Sequence, residues 1–156
     1  MGFATLSLKG RALRLLSQRE HSRDELRRKL QRHVEEGDDL EAVLDDLQSK
    51  DFISETRVVE STLYRRASRL GSARIRQELQ AKGLAPELVH QALVTLQSSE
   101  FERAYALWQR RFGELPADAQ EKARQMRFLM ARGFAGDVVQ RVLKGHRPEG
   151  DADLNA

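Results

Sequence analysis

Cysteine is missing from this 156-residue chain, and proline, tyrosine and tryptophan are scarce at 3, 2 and 1. Without cysteine there is no disulfide, no zinc–thiolate site and no cysteine nucleophile, which fits a reducing compartment. Valine and isoleucine are few beside Leu, Ala, Arg, Gln and Glu, so the composition favours helix over strand. No apolar run approaches the roughly 18 residues of a membrane span. The opening MGFATLSLKG lacks the basic start and long apolar centre of a secretory signal. It also misses the myristoylation pattern, because Leu6 stands where Ser or Thr is needed. A cytoplasmic protein with no membrane partner is expected.

Catalytic signals are equally sparse. His21, His33, His90 and His146 show no metal-ligand spacing. No Gly-rich phosphate loop, G-x-S-x-G or H-E-x-x-H occurs. The acidic group Glu35, Glu36, Asp38 and Asp39 lacks the glycine placement and closing glutamate of an EF-hand loop. Trp108 and its aromatic neighbours lie at helical spacing, as core residues do. The expectation is a non-enzymatic protein with no cofactor and no metal.

What the chain does hold is charge, arranged in blocks. The net value is only +3, yet residues 9–34 carry nine Lys/Arg against three acids, or +6. Residues 35–60 carry two against ten, or −8, and residues 61–82 return to +5 with six against one. Residues 83–102 hold −3 and residues 103–147 hold +6, ten against four. Alternation of this kind concerns partners more than folding.

Beneath the charge lies a repeat of about fifty residues. Sliding by 49 places Leu30 on Leu79, Leu44 on Leu93 and Leu47 on Leu96. Sliding by 50 then places Leu79 on Leu129, Gly83 on Gly133 and Val89 on Val139. Start and stop signals divide each copy into three helices. Ser22 with Glu25 reads as a capping box, and Asp38 or Asp39 opens the helix carrying Leu40, Val43, Leu44 and Leu47. Ser54 opens the second copy, with Phe52 and Ile53 placed to staple its turn and Val58, Val59, Leu63 and Tyr64 on its first helix. Gly71-Ser72 opens ARIRQELQAK, Gly83 closes it as a left-handed cap, and Pro86 suits the first turn of the next helix. Ser99 with Glu102 reads as the cap opening the third copy, Asp118 with Glu121 as a further one, and Gly136-Asp137 as the last start. The expected fold is therefore all-α: an elongated array of three tandem three-helix repeats, about nine helices. The units span 8–51, 52–98 and 99–145, followed by a flexible tail over 146–156.

The second helix of every unit is basic. Ile75 and Leu79 define its buried face in the second copy, with Arg74 and Arg76 on the flanks and Glu78 within reach of Arg74 at i, i+4. The candidate contact residues are Arg27, Arg28 and Arg32 in the first copy, Arg74, Arg76 and Lys82 in the second, and Arg124, Arg127 and Arg132 in the third. Two readings stand side by side. Tandem basic helices could track a nucleic-acid duplex, or a surface banded in both signs could meet a protein of complementary banding.

Several stretches, in order and at these spacings, resemble the RecX family of bacterial recombinase regulators. They are REHSRDEL at 19–26, DFI at 51–53, ARIRQELQAKG at 73–83, FG at 112–113 and RFLMARGF at 127–134. Ser72 stands where that family usually has proline, and Ser54 where an acidic residue is common; both are good caps. The resemblance covers about residues 8–144. It implies a protein that binds the RecA recombinase, chiefly as a filament on single-stranded DNA. Such proteins lodge in the filament's helical groove and inhibit its ATPase, strand exchange and co-protease activities. It also implies a weak affinity for single- or double-stranded DNA, and it carries over no catalytic residue. A monomer is expected. The alternative is a helical-repeat protein that acts on duplex DNA in recombination or transcription.

Overall fold

In a computed structural model, residues 5–149 are described, and they form eight α-helices, one 3₁₀ turn and no strand. The elements are α1 (Leu8–Gln18), α2 (Arg23–Leu30) with a 3₁₀ turn at Gln31–His33, and α3 (Leu40–Ser49). Then come α4 (Glu55–Arg66), α5 (Ser72–Ala81), α6 (Pro86–Arg111), α7 (Ala119–Ala131) and α8 (Gly136–Leu143). The architecture is the all-α array of three-helix units that the periodicity predicts. Of the expected tail, 146–149 carry no helix, and 150–156 lie outside the described residues.

Local chemistry accounts for most boundaries. Ser22 and Glu25 form a reciprocal capping box at α2, at 3.1 Å in both directions. Asp39, Ser54 and Asp118 each accept a backbone N–H three residues on and so start α3, α4 and α7. Gly83 and Gly133 adopt φ +69° and +89°, the left-handed conformation that ends α5 and α7.

One boundary falls elsewhere. Ser99 and Glu102 do not open a helix, because α6 runs unbroken for 26 residues through them. At 1.5 Å per residue that is roughly 39 Å, and it fuses two of the nine expected helices into one. The hydroxyls of Ser98 and Ser99 turn back onto the carbonyls of Thr95 (2.6 Å) and Leu96 (3.2 Å), and Ser99 Oγ accepts from Arg103 Nε at 3.1 Å, so both serines bond within the helix in place of capping. Leu96, Glu100, Ala104 and Trp108, four apart, are all buried and keep one stripe continuous across the seam.

Three hydrophobic clusters follow the three units. Leu8, Ala12, Leu26, Leu30, Leu40, Leu44 and Leu47 form the first, joined by Ile53. Val58, Ile75, Leu79, Leu84, Val89, Leu93 and Leu96 belong to the second. The third contains Ala104, Trp108, Leu129, Phe134, Val138, Val139 and Val142. Trp108 donates its indole N–H to Gln125 at 2.8 Å, which satisfies both buried groups. Of the expected staple only Ile53 is buried, and on α4 Val58 and Val59 are buried while Tyr64 is 91% exposed.

Candidate functional site

The second helices of units two and three, α5 and α7, each end against the second helix of the preceding unit, and the predicted basic residues divide according to what they meet. A helix C-terminus leaves carbonyls without intrahelical partners. At the junction of units one and two, the Arg28 guanidinium donates to the Ala81 carbonyl at the end of α5, at 2.9 Å. At the junction of units two and three, Arg74 does the same for Ala131 at the end of α7, at 2.8 Å. Both side chains are exposed, so each staples a junction while presenting charge to solvent.

Lys82 corrects the expectation of a surface contact. It is 6% exposed, and its ammonium lies 3.5 Å from a carboxylate oxygen of Glu25, itself 8% exposed. The sequence missed the pair because its members are far apart along the chain. Burial alone would raise the Glu25 pKa. Arg19 at 2.7 Å, the Ser22 N–H and Lys82 instead hold it at about 2. Burial pushes the Lys82 ammonium below its ordinary value, while Glu25 opposes the shift.

Arg27 is neutralised at once. It forms a two-point pair with Glu41 (2.6 and 3.2 Å) and reaches Asp24 at 2.6 Å. Arg23 binds the same Glu41 and Asp45 at 2.8 and 2.7 Å. The acids of α3 therefore sit directly against the basic helix of unit one. Arg27 and Arg23 hold the Glu41 carboxyl at about 2.

In unit three several arginines lie close to aromatic rings. Arg132 sits 3.6 Å above the Phe128 centroid and donates to the Phe128 carbonyl at 3.1 Å. Arg124 pairs with Glu121 at 3.3 Å and lies 5.5 Å from Phe112. Arg111, which the sequence reading passed over, lies within 6 Å of both rings. Phe112 and Phe128 meet edge to face at 5.2 Å. Arg32, Arg76 and Arg127 are exposed and have no carboxylate within 4.0 Å among the described residues. Glu78 pairs with Arg66 at 3.3 Å and not with Arg74.

Two further residues, Glu100 and Arg103, escaped the sequence reading. Glu100, buried mid-helix in α6, accepts from the Ser72 N–H (3.3 Å) and the Ala135 N–H (3.2 Å), bridging the starts of α5 and α8. Arg103 caps the Ala67 and Leu70 carbonyls at 2.9 and 2.6 Å. His21, fully buried, lies 3.0 Å from the Arg19 carbonyl through Nδ1 and 2.9 Å from the Lys29 ammonium through Nε2. An ammonium can only donate, so Nε2 accepts and the ring is neutral. Burial lowers its pKa in keeping with that, and the Arg19 carbonyl opposes the shift.

Among the described residues no group of three or more His, Asp or Glu side chains that could hold a metal ion comes together. Family models match the chain in three consecutive parts. They are the RecX first three-helix domain over 9–47, the second over 54–93 and the third over 98–143. The "Regulatory protein RecX" of Leptothrix cholodnii is 57% identical over 148 residues, covering 95% of this chain and 94% of its own. The protein of that name from Ralstonia nicotianae is 52% identical, covering 90% and 88%. A crystal structure of RecX from Lactobacillus salivarius superposes with a TM-score of 0.68 at 21% identity, covering 94% and 95%, and so shares the fold.

Proposed function

The chain belongs to the RecX family of regulatory proteins, and from that membership we propose that it binds the RecA recombinase. The target is its filament on single-stranded DNA, where this protein lodges in the helical groove and inhibits ATPase, strand exchange and co-protease activity. The supporting observation is the recurrence of a solvent-facing arginine from the second helix of every unit. Arg28 and Arg32, Arg74 and Arg76, and Arg124 and Arg127 are all exposed. A long groove of regular pitch presents the same partner residues at regular intervals to such a series, and complementary charge would set register and encounter rate.

The alternative, action on duplex DNA alone, is less well supported. Glu41 and Asp45 lie against Arg23 and Arg27 and would face the phosphates that those arginines should contact. Co-sedimentation with recombinase filaments and with naked duplex, at two salt concentrations, separates the readings. Preferential recovery with the filament at physiological salt is expected. Equal recovery with naked duplex at nanomolar concentration would favour the alternative, since nonspecific binding has a Kd of about 10⁻⁴ to 10⁻⁶ M.

A further inference from the structure

Between α1 and the end of α2 lies a cleft of about 480 Å³ in unit one, lined by Arg11, Arg14, Lys29, Arg32, His33 and an apolar wall of leucines. Arg11 and Arg14 are three apart on α1, and Lys29 and Arg32 are three apart across the α2–3₁₀ seam. Two cationic ridges therefore face each other. In the same unit Lys9, Arg19, Arg23 and Arg27 all have carboxylate partners. The four cleft cations have none within 4.0 Å among the described residues. Unit one thus pairs Lys9, Arg19, Arg23, Arg27 and Lys50 with carboxylates and leaves without one the four cations that line this cleft, along with Arg28 at the junction with unit two.

The positions of the cations are set from behind. Lys29 donates to buried His21, and Arg32 Nε lies 3.3 Å from His33 Nε2. The acids Glu35 and Asp38 line the adjoining recess with Arg11 and Arg32. Asp38 there accepts the Glu35 N–H at 2.9 Å. The opposite wall is apolar: Leu6 is 46% exposed, and Leu15 and Leu30 line the cleft with it.

A ligand for this cleft needs several negative charges at one end and a flat apolar body at the other. Bare phosphate would leave the leucines wet, and a purely apolar ligand would strand four cations. We propose that this cleft binds a nucleotide, its phosphates held by Arg11, Arg14, Lys29 and Arg32 and its base laid on Leu6 and Leu15. The assignment does not depend on the filament reading. The same chemistry occurs in a free nucleoside triphosphate and at the phosphorylated end of a single strand.

Burial lowers the His33 pKa, and Arg11 and Arg32 lower it further. A phosphate in the cleft opposes that repulsion, so its arrival raises the His33 pKa. The test is an NMR titration of the full chain with inorganic tripolyphosphate, ATP and a 5′-phosphorylated oligothymidylate. ATP is expected to shift the Arg11, Arg14, Lys29, Arg32 and His33 signals, move the Leu6 and Leu15 methyls, and raise the His33 pKa. The Arg11→Gln/Arg14→Gln variant should weaken ATP by about tenfold or more, since each charged hydrogen bond carries close to that factor. Lys122→Gln/Lys144→Gln removes the same charge from exposed positions in unit three and should leave the affinity within about twofold.

Tighter binding of the oligonucleotide than of ATP, lost in the cleft variant, assigns the strand end as the source. The reverse order assigns the free nucleotide. Equal weakening by both double variants, tripolyphosphate binding as tightly as ATP, or ATP shifts outside the cleft would each overturn the proposal. Circular dichroism and thermal unfolding of both variants establish that they are folded.

Discussion

The junction between units one and two and the junction between units two and three solve the same problem with different chemistry. The first is made of side-chain charge: Glu25 with Lys82, Arg57 with Glu20 at 3.0 Å, and Arg28 on the Ala81 carbonyl. The second also has charged side chains, Arg74 on the Ala131 carbonyl and Glu100 on two N–H groups, but it adds direct backbone contact. α6 crosses it without a break, the Gly71 N–H donates to the Arg132 carbonyl at 2.7 Å, and the Ala73 N–H donates to the Gly133 carbonyl at 3.2 Å. A junction of backbone and continuous helix admits few geometries. One of charged side chains depends on pH and salt and can re-pair, so bending of the array should concentrate between units one and two.

The sharpest way to break the contrast is to add one carbon at the second junction. A Cβ on Gly71 would stand 2.3 Å from the Gly133 carbonyl carbon and from the Phe134 nitrogen, both main-chain atoms. Gly71→Ala is expected to cost about 3 kcal/mol or more in denaturant unfolding. A cost below about 1 kcal/mol would mean that the two units are not in this backbone contact.

At the first junction, Lys82→Met should cost about 2 kcal/mol and Glu25→Gln about 3, because each leaves part of a buried pair uncompensated. The acid dependence follows from Glu25, whose folded pKa of about 2 is below its ordinary 4.5. Its contribution is complete above pH 4.5 and is lost as pH falls from there through about 2. Wild type should therefore lose stability across that window more steeply than Glu25→Gln, and parallel curves would remove Glu25 from the account. Removing the carboxylate at the second junction with Glu100→Gln should cost about 2 kcal/mol, without comparable added bending in small-angle scattering.

Smaller effects belong to the carbonyl staples. Arg28→Ala and Arg74→Ala should each cost about 1 kcal/mol by thermal unfolding. Matched values would say that the two staples are equivalent despite their different surroundings.

Much of this was legible in the chain. Ser22, Ser54, Asp118, Gly83 and Pro86 mark boundaries through chemistry that acts within four residues, and the fifty-residue period exposes the units. The unbroken α6 was not legible, because Ser99 with Glu102 has the same local pattern as a true cap. The buried stripe that runs through Leu96, Glu100, Ala104 and Trp108, with Glu100 between two other helix starts, decides against it. Lys82 misled for a related reason: at a helix end a lysine is ordinarily solvated, and its partner is 57 positions away (82 − 25). Of the nine expected basic contacts, Lys82 is committed to packing and Arg27 to α3, while Arg32, Arg76 and Arg127 are without carboxylate partners. Short-range signals fix helix ends; long-range pairs decide which charges remain available.

That availability is the centre of the functional account, and recombinase ATPase on single-stranded DNA tests it most directly. Arg76→Glu/Arg127→Glu changes two exposed residues without carboxylate partners, so its stability should stay within about 1 kcal/mol of wild type. Wild type is predicted to suppress hydrolysis, and the folded double variant to need about tenfold more protein for the same suppression. Equal suppression by the two proteins, or none by wild type at saturating concentration, would contradict the account.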